Sequence, residues 1–241
     1  MKTVETCFSP GMYQHKLTAD NYIVAVIDVL RATTAFCAAF DSGVQSIVPV
    51  PALDDLLTYK NKGFLTAAER DGKKVDFADF GNSPTVFLQN NLSGRDLAYS
   101  TTNGTQAIEM AKDSGRIVAV AFVNLDAVAK WLIHENTNVV ILCSGWKNSF
   151  SLEDSLCAGS LIDLLLKTGK YKTTCDSSQA ALALWQNAKS NLLDEVKKAS
   201  HYKRLDALGL QDDLRHCFNL NSSASVPILN KNAFYCLVET D

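Results

Sequence analysis

The sequence predicts an α/β fold of mostly parallel sheets with flanking helices, and three observations carry it. Strand-like and helix-like runs alternate through the first two thirds of the 241 residues, the pattern of parallel strands joined by crossover helices. Strand-like runs such as Ile23-Val24-Ala25-Val26-Ile27 are wholly apolar. Three of them stop at turns crowded with hydroxyl, amide or glycine residues, from which a helix-like run starts at once: Asp28 to Thr34, Thr101 to Thr105, and Ser144-Gly145.

In chain order, strands are expected at Tyr22 to Ile27, Gln45 to Val50, Phe64 to Ala68, Asp96 to Ser100, Arg116 to Ala121 and Asn138 to Cys143. Helices fill the gaps at Thr33 to Asp41, Leu53 to Lys60, Pro84 to Gln89, Thr105 to Lys112, Leu125 to His134 and Leu152 to Leu166. Pro84 after Ser83 and Asp126 in a first turn are ordinary helix starts. Beyond Gly169 the pattern becomes helical at Gln179 to Ala188, Leu192 to Ala199 and Asp212 to Phe218, followed by short strands at Val226 to Leu229 and Phe234 to Val238. The chain reads as a single unit over 1–241. It divides equally well into an α/β part at 1–100 and a second at 101–241 with a helical tail and closing strands.

Composition narrows the setting. A hydrophobic content of 47% supports a packed core. A formal net charge of -3 argues against a general nucleic-acid binder, which carries a basic face. Neither a signal-peptide core nor a membrane-length apolar run is present, and the seven cysteines are scattered without a C-x-x-C pair. A cytoplasmic protein with reduced, mostly buried thiols is expected. Trp131, Trp146 and Trp185 are read first as core packing or loop anchors, and second as marks of a homo-oligomer interface.

The polar turns point to an anion. A helix starting at each one directs free backbone N–H groups and its positive dipole end outward, and all three fall at the carboxyl ends of strands, where ligands of open parallel sheets bind. Each hydroxyl also has a plain reading as a helix cap, for Thr33, Ser83, Thr102 and Ser151 alike. Their company favours function. Asp28 follows five apolar residues and is costly there without a cation or water beside it. Arg31 suits a bidentate contact with phosphate or carboxylate, although a salt bridge between Asp28 and Arg31 is the competing reading. Glu153-Asp154 either complements a helix dipole or supplies metal ligands.

Asp28-Val29-Leu30-Arg31-Ala32-Thr33-Thr34, Glu69-Arg70-x-Gly72, Gly81-Asn82-Ser83-Pro84, Thr101-Thr102-Asn103-Gly104-Thr105 and Glu153-Asp154, in this order, resemble the 2-phosphosulfolactate phosphatase (ComB-like) family. The resemblance extends to Ser200-His201 before Leu205 and to Val226-Pro227. It implies a magnesium-dependent enzyme that hydrolyses 2-phospho-3-sulfolactate to sulfolactate and phosphate, a step towards coenzyme M, with the site in a cleft between two α/β parts. Two positions depart from the pattern. Ser155 stands where another acidic residue is often found, and Lys203 where glycine is common.

Other phosphatase chemistries lack their residues. A phosphoaspartyl enzyme of the haloacid dehalogenase type needs an Asp at Leu30, no cysteine has an Arg six residues on, and Arg215-His216 is followed by Cys217. The sequence also lacks a phosphate loop, a dinucleotide fingerprint and an H-E-x-x-H motif. Metal-assisted attack of water is favoured. On that reading Asp28, Glu153 and Asp154 hold Mg²⁺. Arg31, Thr33, Thr34, Arg70, Asn82, Ser83, Thr102, Asn103, Gly104 and Thr105 bind the substrate and its phosphate. Glu69 orients or deprotonates water, and His201 protonates the leaving alkoxide. Arg70 and Lys147 are the cations available for the carboxylate and sulfonate. The partner is thus a small phosphorylated 2-hydroxy acid, with no nucleic acid or membrane. A non-catalytic module for a phosphorylated metabolite or nucleotide is the alternative, and it leaves the carboxylates without a shared purpose.

Overall fold

A computed structural model describes residues 1–14 and 21–237. Among these, eleven strands form one sheet: β1 Lys2–Cys7, β2 Tyr22–Ile27, β3 Ser46–Pro49, β4 Leu65–Arg70, β5 Lys73–Lys74, β6 Asp96–Ser100, β7 Arg116–Val120, β8 Asn138–Cys143, β9 Tyr171–Lys172, β10 Pro227–Asn230 and β11 Ala233–Cys236. The helices are α1 Pro10–Tyr13, α2 Ala32–Asp41, α3 Leu53–Asn61, α4 Pro84–Leu88, α5 Gly104–Ala111, α6 Leu125–Glu135, α7 Leu152–Lys167, α8 Asp176–Ala188, α9 Leu192–Val196, α10 Ser200–Ala207 and α11 Gln211–Cys217. The α/β class expected from the sequence is the class observed.

The strand order is β5-β4-β6-β3-β11-β10-β7-β2-β8-β1-β9. Two groups are parallel within themselves, β4-β6-β3 and β7-β2-β8-β1-β9. The hairpin β10–β11 joins them through antiparallel pairings on both sides. Three successive antiparallel steps make the two groups run in opposite senses. Strand twist of about 20–25° per pair, accumulated over the five steps from β6 to β2, rotates these two strands by roughly 100–125°, and the residues after them meet where Gly104 approaches Asp28 and Ala32.

Burial explains why β2 is apolar throughout. Ile23, Ala25 and Ile27 enter a core shared with α6, α7 and α8. Val24 and Val26 enter another, built on α2 and on strands of both groups, as expected for a parallel strand covered on both faces. In that second core Phe36 of α2 stands edge-on to Tyr99 of β6 (4.9 Å) and Phe234 of β11 (5.2 Å), so α2 is held between the two groups.

The structure adds elements that sequence patterning misses. β1 lies inside the sheet between β8 and β9, although Lys2–Cys7 is largely polar; its buried Thr6 hydroxyl is satisfied by Ser178 (2.9 Å). Helix α10 likewise lacks an apolar stripe that would mark it in the sequence. The expected closing strands are β10 and β11, and they lie in the middle of the sheet, not at an edge; Val238, included in the expected last strand, lies outside the described residues.

Candidate active site

A small cavity lies where the strand ends meet. It is lined by Asp28, Leu30 and Arg31 after β2, Glu69 at the end of β4, Asn82, Thr101 and Asn103 after β6, Trp146 after β8, and His201, Arg204 and Leu205 of α10. Gly104 makes this convergence possible. A Cβ there would stand 2.8 Å from Asp28 Oδ2 and 2.6 Å from Ala32 Cβ, closer than side chains can sit.

The first turn is braced from within. Thr33 Oγ1 donates to the Asp28 carbonyl (2.8 Å) and accepts the Asp28 N–H (3.0 Å), while Thr34 Oγ1 donates to the Val29 carbonyl (2.9 Å). Both hydroxyls thus shape the turn. Arg31 is buried and pairs with Asp213 of α11, with Nη1 2.5 Å from Oδ2, and it also reaches the Gly72 carbonyl (3.4 Å). Its salt-bridge partner is therefore Asp213, not Asp28. Asp213 Oδ1 in turn accepts from Ser83 Oγ (2.7 Å) and Thr85 Oγ1 (2.6 Å). Ser83 also caps α4 by accepting from the Val86 N–H.

In the second turn Thr105 Oγ1 donates to the Thr101 carbonyl (2.7 Å), and Thr102 Oγ1 donates to Glu69 Oε1 (3.1 Å). Glu69 Oε2 accepts the Gly72 N–H (2.6 Å). Arg70 turns away to Ser100 Oγ (3.0 Å) and the Glu69 carbonyl (2.7 Å). Asn82 Oδ1 accepts from the Tyr99 hydroxyl, and Asn103 Oδ1 from the Lys147 N–H (3.3 Å), leaving the amide N–H groups of both available to the cavity.

The third turn delivers carboxylates. Ser151 caps α7 by accepting the Asp154 N–H, which places Glu153 and Asp154 in the first turn, both buried. Asp154 accepts from the Val29 N–H (2.9 Å) and the Gly145 N–H (3.1 Å), tying this turn to the first. Glu153 Oε1 lies 3.0 Å from His201 Nδ1. Burial pushes the Asp28 carboxyl up to about 6, and the neighbouring Glu69 and Glu153 add to the rise. Burial likewise drives Asp154 well above the usual carboxylate range, with Glu153 and Asp28 contributing.

Of the carboxylates Asp28, Glu153 and Asp154, Asp28 lines the cavity and the other two do not, so it is beside Asp28 that a divalent cation would fit. The cause is like charge in a desolvated place, which a cation relieves. The Ser144 hydroxyl, one residue past the Ile27–Cys143 pair of the sheet, is buried and has no hydrogen-bond partner among the described residues. No group of three or more His, Cys, Asp and Glu side chains among the described residues forms a metal cage by itself. Mg²⁺ needs only one or two carboxylates beside water and phosphate oxygens.

Trp146, Arg204, Asp213, Thr101 and Ser144 were not marked as site residues by sequence. Thr101 and Ser144 carry a signal as members of the polar turns, whereas the i,i+3 spacing of Arg204 from His201 becomes informative only once α10 is seen as a helix. Trp131 and Trp185 pack elsewhere, against Arg116 and Phe122 respectively.

No helix among the described residues is long and apolar enough to cross a membrane. A family model described as 2-phosphosulpholactate phosphatase matches residues 7–232. Curated relatives named probable 2-phosphosulfolactate phosphatase include one from Prochlorococcus marinus, 38% identical over 88% of this chain and 90% of its own length. Another, from Gloeothece citriformis, is 38% identical over 84% and 87%, and one from Thermotoga maritima is 35% identical over 87% and 89%. The chain therefore belongs to the 2-phosphosulfolactate phosphatase family.

Proposed function

We propose that the protein is a Mg²⁺-dependent phosphatase that hydrolyses 2-phosphosulfolactate, or a related small phosphorylated 2-hydroxy acid, to the hydroxy acid and phosphate. The supporting observation is that a family match over residues 7–232 coincides with one cavity gathering Asp28, Arg31, Glu69, Asn82, Asn103 and His201. Asp28, which lines the cavity, would hold Mg²⁺ together with water and phosphoryl oxygens, with Glu153 and Asp154 adding negative charge behind it, and the cation would supply charge neutralisation for the phosphoryl oxygens and activation of water.

The chain's own groups do the rest. Arg31, held by Asp213, and the Asn82 and Asn103 amides donate to phosphoryl oxygens. Glu69, fixed between Gly72 and Thr102, orients the attacking water. His201 is less suited to the leaving-group role. Arg204 Nη2 lies 2.8 Å from His201 Nε2, and an arginine only donates, so Nε2 accepts and the ring hydrogen sits on Nδ1 facing Glu153.

The test is phosphate release from 2-phosphosulfolactate and other small phosphorylated acids, with Mg²⁺ and after chelation. Turnover that needs Mg²⁺ is expected. Equal turnover after chelation would remove the metal from the proposal, and no release from any of them would remove the enzyme.

A further inference from the structure

Two guanidinium groups line the cavity, and they differ in what they face. Arg31 is ion-paired with Asp213, with Nη1 2.5 Å from Oδ2, and is the group assigned above to the phosphoryl oxygens. Arg204, among the described residues, has no carboxylate within ion-pair distance; its contacts are His201 Nε2 at 2.8 Å and the face of Trp146, with 3.8 Å between the guanidinium carbon and the ring centroid. His201 is aimed in turn by Glu153 at 3.0 Å and packs against Trp146 with ring centroids 5.1 Å apart. Glu153, His201, Arg204 and Trp146 thus form a chain ending in a cation at the cavity wall.

Stacking on an indole covers one face of the guanidinium and leaves its N–H donors in the ring plane, the geometry that grips a carboxylate or sulfonate by two oxygens. Hydrogen bonding to His201 uses one of these donors; the others remain for a ligand. The competing cations are placed less well. Arg70 is bonded to Ser100 and the Glu69 carbonyl, and Lys147 is exposed and outside the cavity lining, with its ammonium 5.3 Å from the Trp146 ring centroid.

We propose that Arg204 is the specificity-determining cation of this site, receiving the second anionic group of a phosphorylated hydroxy acid, and that Glu153 and His201 position it. The assignment rests on the phosphatase reading for its substrate class. It selects molecules that carry an anionic end besides the phosphoryl group over simple phosphate esters. Trp146 is part of the same device, because it sets the plane in which the guanidinium donors lie.

The test compares wild type, Arg204→Lys and Arg204→Ala on 2-phosphosulfolactate, 2-phospholactate and isopropyl phosphate, which has no second anion, with thermal unfolding as a control for folding. Arg204→Ala should raise KM for 2-phosphosulfolactate about 10- to 100-fold, the size of a lost charged hydrogen-bond pair, with a much smaller change in kcat. The preference over isopropyl phosphate should collapse, and Lys should restore part of it. A penalty shared by 2-phospholactate assigns Arg204 to the carboxylate; one confined to 2-phosphosulfolactate assigns it to the sulfonate. Either supports the proposal. His201→Ala should shift KM in the same direction, with partial rescue by Gln. Calorimetric binding of sulfolactate, which has no phosphoryl group, separates the two readings. Absence of phosphate release by wild type sinks the phosphatase, whereas sulfolactate binding that is absent from wild type or undiminished in Arg204→Ala overturns the role of Arg204. Equal losses on all three esters, or a loss in kcat instead of KM, overturn it as well.

Discussion

The turn after β2 and helix α10 face one cavity, and they are built in different ways. Asp28, Asp154 and the two threonines of the first turn are held by backbone groups of Val29, Gly145, Ala32 and the turn itself. His201 and Arg204 are held by side chains alone, those of Glu153 and Trp146 and each other. A group anchored to backbone moves only if the turn opens, whereas one anchored to side chains moves by a rotamer change. On the proposed function the chemistry falls to the first side, where geometry is fixed, and substrate choice to the second, where the site adapts.

The largest break in this contrast is at Asp213, where the first turn depends on a side chain from α11. Asp213→Ala leaves Arg31 buried without its partner, a loss of about 3–5 kcal/mol. A fall in the denaturant midpoint with poor phosphate release is expected. A variant as stable as wild type would show that Arg31 is satisfied in another way.

Asp28→Asn comes next. It should cut phosphate release by about 100-fold or more, as loss of a group acting on developing charge does, without lowering stability near neutral pH. The sign follows from the Asp28 carboxyl lying at about 6, above its ordinary value of 3.8. Its protonated form is favoured in the fold, so this group's contribution is complete below pH 4 and is lost as pH rises through 6. Metal-free wild type should therefore lose stability across that range, Asp28→Asn should lose less, and Mg²⁺ should restore wild type alone. Parallel unfolding curves for the two proteins from pH 4 to 7 would contradict this.

The smallest effect concerns Gly104, which keeps the second turn against the first. Gly104→Ala pushes a methyl into Asp28 and Ala32, a cost of about 1–3 kcal/mol. Phosphate release should fall more than the stability change explains, since Asp28 itself is displaced. Activity that tracks stability alone would place Asp28 outside the rigid side.

Much of the rigid side is legible in the sequence. An apolar strand followed at once by hydroxyl and amide residues and a helix pattern is local information, and it marks Asp28, Arg31 and Asn103 without any structure, while Glu69 is marked by the Glu69-Arg70-x-Gly72 block of the family resemblance. The helical side is not. Ser200–Ala207 buries only Leu205, so no apolar stripe betrays a helix, and with the helix unseen Arg204 is one basic residue among many. Asp213 is hidden for another reason. Its pairing with Arg31 joins residues far apart in the chain, and no local pattern records which carboxylate meets which guanidinium. Thr6 shows the same limit in the fold, since its burial in β1 depends on Ser178.

The position of the hairpin has a consequence during synthesis. Val118 pairs with Ile228, and Ile47 with Phe234, so the strands that unite the two groups are translated long after the strands they unite. At about 5–20 residues per second, the stretch from Val120 to Pro227 takes roughly 5–20 s to leave the ribosome. Throughout that interval β3 and β7 each present an unpaired edge. The nascent chain is then at its most vulnerable to pairing with the wrong neighbour, and the last strands made are the ones that close it.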